Sequence, residues 1–422
     1  MQTLIHENCS SPTAIRMYRR KRSTKVPFPY MPEDEYRRRI QRAKELMGEY
    51  KIDGLALFCP EQWIYYFGFL PVYEPPYVYG GILPREGDPI FMAENIWVNH
   101  LELESYVDNL IGYTGHPNPP AGACPDPVNV FVDAVKEAGL GKKTIGLELG
   151  KGMYMRGVNN TELQRIQRGL SEAKFVDASD MIWEQRMIKT PWEQELMRKL
   201  CKVACKSYLR GLEITDEGVN ERDILNGMLE VCIKEGIVDS WWRNVYCNTG
   251  RNLAVSRFQD HKLERGDVIF FDGGPTYKGY QTDMQRIVHI GEPSERVKHL
   301  AKASKVATEA VWEMIGPGVP VGDLVDKSIE AMTKFDSKLK AEYYITWIGH
   351  GQGLWLHEPP WIVKGNQQKL KPGMIISIEI LGADADVKPI VVGDMPEDMF
   401  LITEKGYEWL TSAWGPPGVW IK

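Results

Sequence analysis

Leu263-Glu264-Arg265-Gly266-Asp267-Val268-Ile269-Phe270-Phe271-Asp272 reads as a turn leading into a short apolar strand that ends on a carboxylate. Leu370-Lys371-Pro372-Gly373-Met374-Ile375-Ile376-Ser377-Ile378-Glu379 reads the same way 107 residues later (370 − 263). One such match is weak, because a turn entering a strand is common. A second match in the same order strengthens it. Gly218-Val219-Asn220-Glu221-Arg222-Asp223-Ile224-Leu225 and Gly318-Val319-Pro320-Val321-Gly322-Asp323-Leu324-Val325 share G-V-x-x-x-D-[IL]-[LV], 100 residues apart (318 − 218). Each copy implies a long helix, a loop, a second helix and then strands. Together they predict an α+β domain with pseudo-twofold symmetry that brings Asp272 and Glu379 face to face.

An apolar strand ending in an acid is costly, because a buried carboxylate must be paired or protonated. Downstream of Asp272, in Tyr280-Gln281-Thr282-Asp283, lies a second acid eleven positions on (283 − 272), and a hairpin would set it beside the first. Downstream of Glu379, Glu397 opens a second apolar strand, Glu397-Asp398-Met399-Phe400-Leu401-Ile402. Four carboxylates therefore converge by symmetry, and two divalent cations would offset their charge. The segment from Gly349 to Pro360 adds His350 and His357 among glycines, which permit close backbone approach to a ligand. Mostly oxygen donors with one imidazole suit Mn, Fe or Co better than a structural zinc, and a two-metal site activates water and polarises the scissile bond.

Outside this constellation, 422 residues exceed one ordinary core, and two domains are expected, divided near Lys189. Thr190-Pro191-Trp192-Glu193 is a helix start, with Thr190 as N-cap and Glu193 completing a capping box. In the first half, Tyr36, Ile40, Ala43, Leu46, Met47 and Tyr50 keep helical spacing. Leu55 to Cys59, Tyr77 to Leu83, Pro89 to Met92, Thr144 to Leu147 and Lys174 to Val176 read as strands. These strands alternate with helices at Pro127 to Ala138 and Thr161 to Gly169, which indicates an α/β domain. Proline-rich loops at Val72 to Tyr77 and His116 to Pro125 shape a pocket or cover an edge. The basic stretch Arg16 to Lys25 reads as a solvated arm within residues 1–30.

With 43% hydrophobic and 26% charged residues the composition is that of a soluble globular protein. A net charge of -6 leaves no footprint for nucleic acid. No apolar run is long enough to cross a bilayer and no signal peptide is evident, so the expected location is the cytoplasm. Seven scattered cysteines (Cys9, Cys59, Cys124, Cys201, Cys205, Cys232, Cys247) fit reduced, buried thiols, and Cys201 and Cys205, one helical turn apart, fit helix packing better than half a metal site.

The series Asp272, Asp283, His350, Glu379, Glu397, in that order and those contexts, resembles metallopeptidase family M24, which includes prolidase, Xaa-Pro aminopeptidase and creatinase. The resemblance spans both halves. It implies an α/β creatinase-like N-terminal domain over residues 1–188 and a pita-bread catalytic domain over residues 189–422. By resemblance Asp272 chelates one of two divalent ions (Mn, Fe, Co or Zn), His350 and Glu379 hold the other, and Asp283 and Glu397 bridge both. His357, in His-Glu-x-Pro, would contact the substrate or the developing oxyanion. The implied activity is hydrolysis of a C-N bond in a dipeptide or small amide by a metal-bridging hydroxide, and the implied assembly is a homodimer.

One segment departs from that pattern. Family peptidases carry a further histidine before the first aspartate, whereas Asn248 to Asp260 has none, and the nearest is His261. The family's dimethylsulfoniopropionate lyases also lack that histidine, but they carry an acid where this chain has Gly274 and do not match His357-Glu358-x-Pro360. A lyase and a catalytically inactive binding domain are therefore the alternatives. Among the remaining residues, His6, His100, His116, His289 and His299 lack ligand-like company. Trp241 and Trp242, among 13 tryptophans, fit core packing better than substrate stacking. Arg286 fits a brace for the carboxylates. The tail Trp414 to Trp420 either caps a pocket or packs at a dimer interface.

Overall fold

Tyr36, Ile40, Ala43, Leu46 and Met47 are buried along one face of the helix Glu33–Glu49, as their spacing requires, and Tyr50 falls past its end. The structure, a computed structural model, describes residues 3–4, 15–19, 26–70, 80–113, 126–150, 158–237, 245–249, 260–339, 345–384, 391–418 and 420–422. The loops at Val72 to Tyr77 and His116 to Pro125, the pair Trp241 and Trp242, His6, Cys9 and the segment Gly250 to Gln259 lie outside them. The chain divides into two units, Met1–Gln185 and Arg186–Lys422.

In the first unit, eight strands among the described residues form one mixed sheet. They are β1 (Thr3–Leu4), β2 (Ile15–Arg19), β3 (Gly54–Leu57), β4 (Gly80–Pro84), β5 (Ile90–Glu94), β6 (Asn109–Tyr113), β7 (Thr144–Leu147) and β8 (Lys174–Asp177). Their order is β1-β2-β6-β5-β4-β3-β7-β8, with β3, β7 and β8 parallel and β5 parallel to β6. Ile82, Met92, Ile111 and Ile145 of the sheet meet Phe131 and Val135 of the helix Pro127–Glu137 and Ile166 of the helix Asn160–Gly169 in one core. The reading of Arg16 to Lys25 as a solvated arm is corrected for its first four residues, since Ile15–Arg19 pairs antiparallel with Asn109–Tyr113, and residues 20–25 lie outside the described residues. The alternation Ile15-Arg16-Met17 carried a strand signal that the charges obscured. The helix Asn95–Glu104 also went unread, because only Val98 and Leu101 are buried and no stripe marks it.

The second unit explains the repeated motifs. Its strands are β9 (Val245–Thr249), β10 (Val268–Gly273), β11 (Thr276–Tyr277), β12 (Tyr280–Gln281), β13 (Arg286–His289), β14 (Gly349–Gly351), β15 (Ile375–Glu379), β16 (Gly382–Asp384), β17 (Val391–Asp394), β18 (Glu397–Ile402), β19 (Tyr407–Trp409) and β20 (Trp420–Ile421). One half pairs the helices Pro191–Ile214 and Glu221–Lys234 with the sheet β20-β13-β10-β9; the other pairs Glu295–Trp312 and Val321–Phe335 with β14-β15-β18-β19. Gly218 and Gly318 both turn with positive φ (82° and 87°), which favours glycine at each position. Their amides donate to the carbonyls of Leu263 (2.7 Å) and Leu370 (2.8 Å). The amides of Leu263 and Leu370 return bonds to the carbonyls of Val219 and Val319, each 2.9 Å. The motifs thus tie each second helix to the turn before its acid-bearing strand. Ile224, Ile269 and Phe271 in one half and Leu324, Ile376 and Ile378 in the other are fully buried equivalents. The helix Pro191–Ile214 opens on the expected capping box of Thr190 and Glu193. No described helix is long and apolar enough to cross a membrane.

Candidate metal centre

Strand pairing brings the acids together. β10 carries Asp272 at its end, and the chain returns through the β11–β12 hairpin so that Asp283 arrives beside it, the Met284 amide donating to the Gly273 carbonyl at 3.2 Å. In the other half, β15 pairs antiparallel with β18, setting Glu379 directly opposite Glu397. The halves are stitched between Gln285 and Glu397: each amide donates to the other's carbonyl, at 3.2 and 3.0 Å. His350 lies on β14 opposite Ser377. Its Nε2 is 3.5 Å from Glu397 Oε1 and 3.7 Å from both Glu379 Oε1 and Asp283 Oδ2. Three overlapping groups offer donor atoms within 4.8 Å of one another: Asp272, Asp283 and Glu397; His350, Glu379 and Glu397; and Asp283, His350 and His357.

Burial and mutual repulsion hold these acids back from ionising. Burial, then repulsion by Glu397, raises the Asp272 carboxyl to about 7. Burial also carries Glu397 to about 7 against a hydrogen bond from Ser377. Burial followed by repulsion from the neighbouring acids pushes Asp283 and Glu379 well above the usual carboxylate range. Four acids cannot all ionise here unless cations sit among them. Burial holds the His350 imidazole down at about 4, so it is neutral, as a metal-ligating imidazole must be. Its Nδ1 meets the Gly351 carbonyl at 2.9 Å, and its fully buried Nε2, aimed at three carboxylates, has no hydrogen-bond partner. Oxygen donors around one such imidazole fit divalent ions of the Mn, Fe, Co or Zn kind.

His357 stands at the rim. Its ring is 4.2 Å from that of His350, its Nε2 is 3.6 Å from Asp283 Oδ2, and its side chain is 26% exposed. Burial, then His350, lowers its pKa to about 4. Next to it, Glu358 is fully buried and paired with Arg186 and with Lys189 at 3.3 Å, while the Trp355 amide donates to it at 3.0 Å. Burial alone would raise the Glu358 carboxyl, but the two cations outweigh it and hold it low. Glu358→Ala would remove the carboxylate that two buried cations share. It is expected to cost about 3–5 kcal/mol in denaturant unfolding, the usual loss when one partner of a buried pair is removed.

The glycines here act otherwise than expected. A Cβ on Gly349 would lie 2.0 Å from the Ser377 carbonyl, and one on Gly351 2.2 Å from that of Pro359. The close approach they permit is to neighbouring backbone. Two site residues were missed. Ser377 donates to Glu397 Oε1 at 2.5 Å, and its two-residue spacing from Glu379 on β15 was a usable signal. Trp347, 38% exposed, stacks its ring 5.8 Å from that of His350, and no spacing rule marks it.

Other candidates resolve as packing. Cys59, Cys201, Cys205 and Cys232 are free and buried, and Cys201 abuts Met399. His100, His261 and His299 pair with Glu104, Asp267 and Asp336, and His289 is buried near the Gly393 carbonyl. Trp414, the first residue of that tail, is buried against Tyr208, Phe271 and Trp420. A Cβ on Gly274 would lie 2.1 Å from Thr282 Oγ1, so an acid does not fit there without displacing Thr282.

Residues 195–404 match the family model of metallopeptidase family M24, and residues 39–188 match that of the creatinase/prolidase N-terminal domain. The chain is 27% identical over 379 residues to the Xaa-Pro dipeptidase of Pyrococcus furiosus, covering 89% of this chain and 98% of that protein. Among solved structures it resembles the Xaa-Pro dipeptidase from Bacillus anthracis, with TM-score 0.73, 20% identity, and 92% and 100% of the two chains covered. It also resembles dipeptidase PepE from Mycobacterium ulcerans, with TM-score 0.75, 23% identity, and 93% and 99% covered. The fold is accordingly an α/β creatinase-like N-terminal domain followed by a pseudo-twofold pita-bread domain.

Proposed function

The chain belongs to metallopeptidase family M24, and from that premise we propose that it is a dinuclear-metal hydrolase of Xaa-Pro dipeptides or closely related small amides. Asp272 would hold one ion, His350 and Glu379 the other, and Asp283 and Glu397 both. The observation that carries this reading is the sharing of Glu397 between two adjacent donor groups, one with Asp272 and one with His350. When bound, two divalent ions supply an activated water and polarise the scissile carbonyl. His357, neutral and partly exposed at the rim, can direct a ring nitrogen at the carbonyl oxygen as charge develops there. The similarity to Xaa-Pro dipeptidases favours a dipeptide with proline second. The lyase alternative needs an acid at position 274, where this chain has glycine and where a side chain would have to displace Thr282, and an inactive binding domain has no need of four clustered carboxylates.

Purified protein is expected to contain about two divalent ions per chain and to hydrolyse Xaa-Pro dipeptides. A chelator should abolish turnover and added Mn(II) restore it. Full activity in metal-free protein, or cleavage of dimethylsulfoniopropionate but of no dipeptide, would refute the assignment. A cytoplasmic homodimer belongs to the same reading and is checked by cell fractionation and sedimentation equilibrium.

A further inference from the structure

Behind the carboxylates, on the opposite side of the strand that presents Glu397, lies a buried ion pair. Strand alternation turns Asp398 away from Glu397, and there Asp398 Oδ2 accepts from Arg286 Nη2 at 2.8 Å with both side chains fully buried. The other oxygen of Asp398 accepts from the Thr411 hydroxyl at 2.7 Å and the Trp409 indole at 3.0 Å. Arg286 Nη1 donates to the carbonyls of Gln285 at 2.7 Å and Glu397 at 3.1 Å, and Nη2 also to that of Gly415 at 2.7 Å. Arg286 opens β13 three residues after Asp283, and Asp398 directly follows Glu397. One guanidinium therefore spans the junction at which the halves of the unit deliver their two shared acids.

Stability alone does not explain such a pair. Well-packed apolar residues often replace a buried ion pair at no loss, because desolvation offsets the attraction. Register does explain it. Glu397 and Asp398 are adjacent acids, and a slip of one residue in β18 would turn Asp398 into the cluster and Glu397 out of it. Arg286, held by three carbonyls, bonds Asp398 at 2.8 Å and so anchors the register in which Asp398 faces away from the cluster and Glu397 faces into it.

We propose that Arg286 and Asp398 are positioning residues that set the separation of Asp283 and Glu397 and thereby secure the second of two divalent ions. The proposal rests on the dinuclear reading above. It is tested on the full chain by titrating Mn(II) calorimetrically and recording the paramagnetic resonance spectrum of the loaded protein. Three variants are compared: Asp398→Asn, Arg286→Lys, and the apolar double variant Arg286→Met/Asp398→Leu. Expected for each is a second Mn(II) bound about 10–100-fold more weakly, the usual effect of losing a partner behind a metal ligand, with loss of the spin-coupled two-ion signal. Across the three variants the weakening of the second ion should not track the change in melting temperature, separating positioning from stability. Any folded variant that binds both ions with parental affinity and an unchanged coupled spectrum overturns the proposal. Fewer than two Mn(II) in the unsubstituted protein removes the dinuclear reading itself, a failure told apart because it needs no substitution.

Discussion

Glu397→Ala is expected to leave a folded protein that has lost at least one divalent ion and all measurable turnover. Glu397 offers an oxygen to both adjacent donor groups, so its loss strips a ligand from each proposed ion at once. The backbone is insulated from the change. The bonds between Gln285 and Glu397 are main chain to main chain and survive truncation, as does the pairing of β15 with β18. Removing one of four mutually repelling carboxylates also relieves Asp272, Asp283 and Glu379, whose carboxyls Glu397 raises. Thermal stability of the metal-free variant should therefore match or exceed that of the metal-free parent. Loss of metal affinity should exceed the roughly 10–100-fold typical of residues that only support a ligand. Asp283→Ala, acting on the other shared acid, should behave alike. Metal analysis beside circular dichroism decides: unchanged ion content in a folded variant would refute the ligand assignment.

The residues gathered at the centre were legible because each is an anomaly in its local pattern. Asp272 and Glu379 end apolar strands, Glu397 opens one, and the repeat placed them by symmetry without any knowledge of their contacts. What lay beyond sequence was cross-chain packing with no period of its own. Asp398 looks like a surface acid beside Glu397 until Arg286, 112 residues away, is seen to face it. Trp414 sits in a glycine- and proline-rich tail that suggests exposure, yet it fills the core under Phe271. In the N-terminal unit, Ile15–Arg19 was hidden by the charges around its alternation, and Asn95–Glu104 by the lack of an apolar stripe. Local pattern thus reveals where a strand must end in an acid. It does not reveal which distant residue steadies that acid.

His357→Ala is expected to cut turnover about a hundred- to a thousandfold, the usual cost of a lost oxyanion donor, while sparing metal content. The expectation follows from position. His357 is the more exposed imidazole of the pair, its ring packs against His350, and its Nε2 lies on the Asp283 side of the cluster, where it can reach both a bound carbonyl and the acids. Because burial keeps its pKa near 4, the ring is neutral across the neutral range. The loss should then be uniform between about pH 6 and 8, without the limb that an ordinary histidine near 6.5 would impose. Position also admits a rival role, since Asp283, His350 and His357 can themselves hold an ion. The two roles separate by measurement. A donor that acts only as charge develops lowers kcat and kcat/KM together and leaves both ions in place. A ligand takes an ion with it when removed, so a metal-depleted His357→Ala protein would reassign His357 to the ligand set and leave the oxyanion without its proposed donor.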